Sequence, residues 1–165
     1  MDGADRTLVV LRHSKAAFPP GVADLDRPLA ERGEREAPFA GRWLRDHAPV
    51  LDLVVRSPAS RVLQSWELVH AELGYAPQVR DDERLYAEPV STILNIISEL
   101  PDDVGSVLLV GHNPELSGLV TVLCGTEVDL KTSAIAVLSF NGDWRDVESG
   151  SMQLADFATP RPDGE

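Results

Sequence analysis

Three short runs of consecutive apolar residues divide the chain: Leu8-Val9-Val10-Leu11, Leu53-Val54-Val55 and Val107-Leu108-Leu109-Val110. Each is continuous rather than alternating, the pattern of a parallel strand covered on both faces. Between and after them apolar positions recur at helical spacing. Val62, Trp66, Val69 and Leu73 form one stripe, Val90, Ile93, Leu94 and Ile97 a second, and Leu116, Leu119, Val120 and Leu123 a third. A fourth helix is predicted to hold Ala40, Trp43, Leu44 and His47, with Pro38 close to its first turns. In the last third, Ala134 to Phe140 reads as a strand, and Asn141-Gly142 predicts a tight hairpin before Trp144. From Thr159 the chain is rich in Pro, Gly and Asp, which predicts a frayed tail. No internal repeat and no linker interrupts the pattern. The expected fold class is α/β: a three-layer α/β/α sandwich whose mainly parallel central sheet gains an antiparallel hairpin near the C-terminus. One domain is expected over residues 1–158, with a flexible tail over 159–165.

Charge narrows what such a domain can serve. The 165 residues hold 15 Lys and Arg against 27 Asp and Glu, a net charge of −12. A dedicated nucleic-acid binder needs a basic face to replace counterions, so no nucleic acid is expected as partner. A small phosphorylated ligand remains open, because screening limits surface charge to a reach of roughly 8 Å. A few pocket arginines can outweigh distant acids. Cys124 is the single cysteine, which leaves no internal disulfide and no cysteine-rich metal site. The start of the chain carries acids and runs into Leu8–Leu11, too short for a signal-peptide core or a membrane span. The expectation is a cytoplasmic protein without membrane contact.

Each apolar run ends in a polar cluster: Arg12-His13-Ser14-Lys15, then Arg56-Ser57-Pro58 followed by Arg61, then Gly111-His112-Asn113-Pro114. Open parallel sheets bind ligands beyond the carboxyl ends of their strands, so all three clusters are predicted to share one edge. Their residue types suit a phosphoryl group. Arginine offers a planar fork of donors and stays charged. A neutral imidazole can attack phosphorus and split one hard displacement into two easier ones. A second histidine can donate to the charge that develops on the equatorial oxygens. Asn113-Pro114 reads as a helix N-cap followed by the first helical residue. That places His112 at a helix N-terminus, where an anion is favoured.

Taken singly, these residues have plainer explanations. Arg12-His13 could cap a strand end, Arg61 could be a solvated helix residue, and His112 a satisfied loop histidine. Their convergence decides for a site. His47 and His70 fall on helix patterns and read as structural or exposed, Glu83 as a solvated loop acid, and Trp43 and Trp66 as core. His13 and His112 come without the spacing of a metal centre, and arginines beside them would repel a cation. No metal and no cofactor are expected.

The same segments resemble a known family. Leu11-Arg12-His13-Ser14-Lys15-Ala16 is similar to the R-H-(G/S/A) signature of the histidine phosphatase superfamily. Ser57-Pro58-Ala59-Ser60-Arg61-Val62-Leu63-Gln64-Ser65 resembles its S-x-x-x-R-x-x-Q-T segment, with Ser65 for the final threonine. Gly111-His112-Asn113-Pro114 resembles the second-histidine motif. The small size, Asp26-Arg27-Pro28-Leu29 with Arg32-Gly33, and Thr132-Ser133-Ala134-Ile135-Ala136 are similar to SixA-type phosphohistidine phosphatases within it. The resemblance implies a phosphoglycerate mutase-like fold and a metal-independent phosphatase. In it His13 is the nucleophile flanked by Arg12, Arg61 a second phosphate clamp, and His112 the transition-state donor. The backbone N–H of Asn113 adds a contact. Ser14, Lys15 and Arg27 are expected to line the substrate site, with plain surface charge the alternative for the last two. Larger members of the superfamily also carry an acid after the helix that follows the S-x-x-x-R segment. Here that stretch reads Asp81-Asp82-Glu83-Arg84-Leu85-Tyr86-Ala87-Glu88, and none of its acids matches; Glu83 and Glu88 are the ones to locate.

The expected substrate is phosphohistidine on a protein. The alternatives are a small phosphomonoester, such as a sugar phosphate or nucleotide, and a non-catalytic module that binds a phosphorylated ligand.

Overall fold

The computed structural model of the protein describes residues 5–162. Strand β1 (Asp5–Arg12) leads through a loop to helix α1 (Glu31–His47), then to β2 (Leu53–Arg56), helix α2 (Ser60–Leu73) and β3 (Gln78–Asp81). Helix α3 (Val90–Ser98), β4 (Ser106–Gly111), helix α4 (Glu115–Cys124), β5 (Ile135–Asn141) and β6 (Gln153–Ala158) follow. The six strands form one sheet in the order β3-β2-β4-β1-β5-β6. The first four positions are parallel, while β5 runs antiparallel to β1 and carries β6 on its outer side.

The continuous apolar runs acquire a direct meaning in this sheet. Side chains alternate between faces along a strand. Leu8, Val10, Leu53, Val55, Val107 and Leu109 point into a core shared with α3, α4 and Trp144. Val9, Leu11, Val54, Leu108 and Val110 point into the opposite core, against α1 and α2. Both faces are covered, so no position on these strands needs to be polar. On the second face α1 crosses α2 closely: a Cβ at Gly41 would lie 2.5 Å from the Val69 carbonyl oxygen.

Two expectations need correction, and two parts of the structure carry no sequence pattern that announces them. Helix α1 begins at Glu31, so Pro38 sits in its middle rather than in its first turns. Strand β3 was not legible: Gln78-Val79-Arg80-Asp81 is a half-exposed edge strand with one apolar residue. The hairpin is not tight. Strands β5 and β6 do pair, but between them Trp144 turns inward, is fully buried, and donates its indole N–H to the Val104 carbonyl at 2.8 Å. The chain therefore dives into the core after Gly142 and reaches β6 only at Gln153. Finally, residues 159–162 lie half-buried, and Arg161 pairs with the buried Glu36 at 3.3 Å. The rest of the predicted tail, 163–165, falls outside the described residues.

Candidate active site

Strand register brings the three polar clusters level. Arg12 stands opposite Gly111, and Arg56 opposite Val110. The ladder continues one residue further on each side, with His13 N–H donating to Gly111 O at 3.0 Å and Ser57 N–H to Val110 O at 3.1 Å. His13 and His112 thereby face each other, with ring centroids 5.2 Å apart.

His13 is 7% exposed and has a defined tautomer. Its Nδ1 lies 2.7 Å from the Ser14 carbonyl, which can only accept, so Nδ1 carries the proton and Nε2 keeps its lone pair. Burial is the main reason its pKa falls to about 3; nearby His112, Arg61 and Arg12 push in the same direction. His13 is therefore neutral at physiological pH.

His112 is equally buried and its pKa falls to about 4, again chiefly through desolvation, with Arg61 next. Its Nε2 meets Ser57 Oγ at 2.8 Å, while Ser57 Oγ also accepts the Ala59 N–H at 3.3 Å. The Ser57 hydroxyl can donate to Nε2, and in that arrangement the imidazole proton resides on Nδ1. That atom is buried and has no partner among the described residues. A neutral donor thus stands beside a neutral nucleophile.

These rings border a pocket of about 390 Å³ that also takes in Arg12, Lys15, Arg27, Arg61, Asp24 and Tyr86. Arg61 gives Nη1–H to Asp24 O at 2.7 Å and Nη2–H to Asp24 Oδ2 at 3.1 Å. Arg27 donates to Asp24 Oδ1 at 3.0 Å, and Tyr86 Oη to Oδ2 at 2.6 Å. Tyr86 foremost, then Arg27, hold the Asp24 carboxyl far below the usual range, so it stays ionised. Arg12 is anchored through Nη1 to Leu130 O at 3.0 Å, and its buried Nε lacks a partner among the described residues. Behind the wall, Ser14 N–H donates to Ser65 Oγ at 2.9 Å, and Ser65 Oγ donates to Arg61 O at 2.7 Å. Four cations and two neutral imidazoles converge on one cavity, an arrangement able to hold a tetrahedral oxyanion against a nitrogen nucleophile.

Comparison with known proteins agrees. The family description "Histidine phosphatase superfamily (branch 1)" matches residues 8–86. An uncharacterized protein of Mycobacterium tuberculosis is 43% identical over 162 residues, spanning 92% of this chain and all of the relative. A solved structure from Nakamurella multipartitia, described as a candidate phosphohistidine phosphatase SixA, superposes with a TM-score of 0.86 at 32% identity, over 97% of this chain and 99% of that one. The chain belongs to the histidine phosphatase superfamily. Within it the chain is of the SixA type and is a phosphatase. A structure of the protein histidine phosphatase SixA complexed with tungstate also matches, with a TM-score of 0.81 and 26% identity over 93% of this chain and 97% of that one.

Histidine phosphatase motifs predicted most of the pocket wall. Arg12, His13, Lys15, Arg27, Arg61, His112 and Asn113 all line it. Ser14 does not: its Oγ is buried and shares a 2.5 Å hydrogen bond with Ser133 Oγ, so it braces the wall instead of facing substrate. Asn113 is also placed differently from the sequence reading. Pro114 occupies the N-cap of α4, after a cis Asn113-Pro114 bond, and Asn113 Oδ1 accepts the Ser117 N–H at 3.1 Å from one residue further out. Glu83 and Glu88 are exposed and are not part of the wall; their segment contributes Tyr86 and Ala87. Sequence reasoning missed Asp24, Tyr86 and Glu115. Asp24 lies two residues before Asp26-Arg27-Pro28-Leu29, and Tyr86 lies within the acid-rich stretch that follows α2.

Proposed function

We propose that this histidine phosphatase removes phosphate from phosphohistidine carried on another protein, by way of a phosphohistidine on His13. The observation that carries the reading is the tautomer of His13: Nδ1–H is committed to Ser14 O, so the free lone pair on Nε2 faces a pocket of arginines. In the first step Nε2 attacks phosphorus, the P–N bond to the substrate breaks, and its electron pair stays on the substrate ring. In the second, water attacks the phosphorylated His13, the new P–N bond breaks, and phosphate leaves. Arg12 and Arg61 grip the equatorial oxygens, with Lys15, Arg27 and the Asn113 backbone at the rim. His112 donates Nδ1–H to the charge that builds in the transition state, where a preorganised donor contributes most.

Leaving-group chemistry favours P–N over P–O substrates. An alkoxide leaves poorly and gains typically 10²–10⁴-fold from a positioned acid. Asp24, held ionised, is a poor acid, and Glu83 and Glu88 stand away from the pocket. An imidazole already protonated at its far nitrogen leaves neutral and needs no such acid. The likeness to a protein histidine phosphatase supports the same substrate class, and its complex with tungstate supports a site for tetrahedral oxyanions. A cytoplasmic setting belongs to this reading; among the described residues no helix is long and apolar enough to cross a membrane.

The test compares kcat/KM on a phosphohistidine-bearing protein with that on alkyl and aryl phosphates, chelator present throughout. P–N substrates should be fastest, aryl phosphates intermediate and alkyl phosphates slowest. A sugar phosphate or nucleotide turned over faster than phosphohistidine would overturn the reading.

A further inference from the structure

One wall residue has no place in that mechanism. Glu115 opens helix α4, three residues after His112, and its side chain borders the same cavity. Its Oε2 is shielded from solvent, and among the described residues it has no hydrogen-bond partner and no ion pair. The other carboxylate of the wall is fully engaged, since Asp24 accepts from Arg27, Arg61 and Tyr86. Glu115 is therefore the wall carboxylate with an acceptor that no described residue engages.

A plainer explanation would be helix stabilisation, because an acid in a first turn is favoured by the helix dipole. That benefit is available to a side chain turned towards water. It does not explain an acceptor buried without a donor, which is costly, nor a negative group placed where an anionic phosphoryl group must enter. A donor supplied by the ligand, met by a rotation of the carboxylate towards the cavity, explains both.

We propose that Glu115 is a specificity-determining residue: its carboxylate accepts the N–H of the substrate's own imidazole, at the ring nitrogen remote from phosphorus. The inference rests on the phosphohistidine reading above. When the P–N bond breaks, its electron pair returns to the nitrogen that bore phosphorus. If the remote nitrogen carries a proton, the product is neutral imidazole; if not, it is imidazolate, a far poorer leaving group. The reactive substrate is thus the ring protonated at that nitrogen. An ordinary imidazole is half protonated at roughly pH 6.5, so this form is the minority at pH 8. A carboxylate that accepts the N–H binds the cationic ring in preference and keeps it protonated to higher pH. The proton stays on the substrate throughout. A substrate with a hydroxyl leaving group offers no such N–H, and meets an unpaired negative charge instead.

The test is the pH profile of Glu115→Gln and Glu115→Ala on a phosphohistidine peptide and on an aryl phosphate, from pH 6 to pH 9. In the parent, kcat on the peptide should hold to about pH 8, because kcat reports the ring as it titrates in the enzyme–substrate complex. In the variants its alkaline limb should move towards roughly pH 6.5. The peptide-to-aryl ratio at pH 8 should fall on the order of tenfold, the size expected for one hydrogen bond to a charged group. Glutamine, which keeps the acceptor but not the charge, should fall between parent and alanine. Unchanged profiles in both variants, or an equal loss on both substrates, would overturn the proposal. A parent enzyme that cleaves the aryl phosphate but not the peptide would instead overturn the phosphohistidine reading, before any variant is made.

Discussion

The burial of His13 and His112 makes stability depend on pH in a way that can be measured without knowing the substrate. In the unfolded chain both rings titrate near the ordinary value of roughly 6.5. In the folded protein they titrate at about 3 and about 4. Between those limits the unfolded chain binds more protons, so stability must fall as pH drops below 6.5. The contribution is intact above pH 6.5 and continues to fall until the folded values are reached. At pH 5 both rings are still neutral in the fold, so the loss is set by the unfolded value alone. It comes to about 2 kcal/mol for each histidine, or about 4 kcal/mol for the pair. That is a large share of a typical stability of roughly 5–15 kcal/mol. The Asp24 carboxyl, lowered in the fold, acts in the same direction but only as pH falls through its unfolded value of about 3.8, below this window. Urea unfolding at pH 8, 7, 6 and 5 measures the effect directly, and His13→Asn should roughly halve it. A parent loss under 1 kcal/mol between pH 8 and pH 5, or an unchanged loss in His13→Asn, would refute the buried neutral pair. The same neutrality keeps the nucleophile competent in acid. At pH 5 an ordinary histidine would be about 3% neutral, whereas one titrating near 3 is about 99% neutral. The His13 ring protons should accordingly show no NMR titration step near pH 6.5.

Three further outcomes are expected. Rapid quench with labelled substrate should trap phosphate that survives alkali and is lost in acid, attached at His13 Nε2 because Nδ1 is held by Ser14 O; label persisting in His13→Ala would show another nucleophile. Arg61→Ala should lower kcat/KM by roughly a hundredfold, about 3 kcal/mol of transition-state stabilisation, with Arg61→Lys recovering only part; near-parent kinetics would place Arg61 outside the reaction. Gly33→Ala should destabilise the fold by about 1–3 kcal/mol, seen as a lowered Tm, because the added Cβ would overlap the Lys15 backbone; an unchanged melt would mean that the Lys15 loop yields without cost.

The sequence disclosed the buried half of this structure more readily than its edges. Residues such as Val54 and Leu108 must be apolar because helices cover both sheet faces, so a continuous run marks a central parallel strand. An edge strand is under no such demand, and Gln78–Asp81 carries no run to see. Asn141-Gly142 misled for a related reason. A local turn signal cannot report that Trp144, a few residues on, gains more from the core than from a tight hairpin. At the site, residues that finish the central strands were legible because topology alone brings strand ends together. The braces were not. Ser14 meets Ser133 across 119 positions, and Ser65 meets Ser14 across 51. A serine–serine contact has no sequence period, and nothing in a single chain reveals which hydroxyls will touch.

Asp24 and Glu115 show why a carboxylate in a phosphate pocket cannot be read by charge alone. Repulsion argues against both, yet their surroundings differ in kind. Asp24 is anchored by three donors, so its charge is spent on holding Arg27 and Arg61 apart and in place before substrate arrives. Without that anion, Arg61 would approach Arg12 and the two buried histidines with nothing fixing its orientation. The weakening of phosphate affinity is then exchanged for guanidinium groups already aimed, which matters more in a transition state than in a bound ground state. Glu115 has no such donor among the described residues. Its position is stabilising only when something enters the pocket carrying a positive N–H, and a protonated imidazole brings that group with the phosphoryl group it is about to lose. The two acids therefore divide the pocket: the Asp24 side organises the phosphoryl group's counter-charges, and the Glu115 side is left for the leaving group.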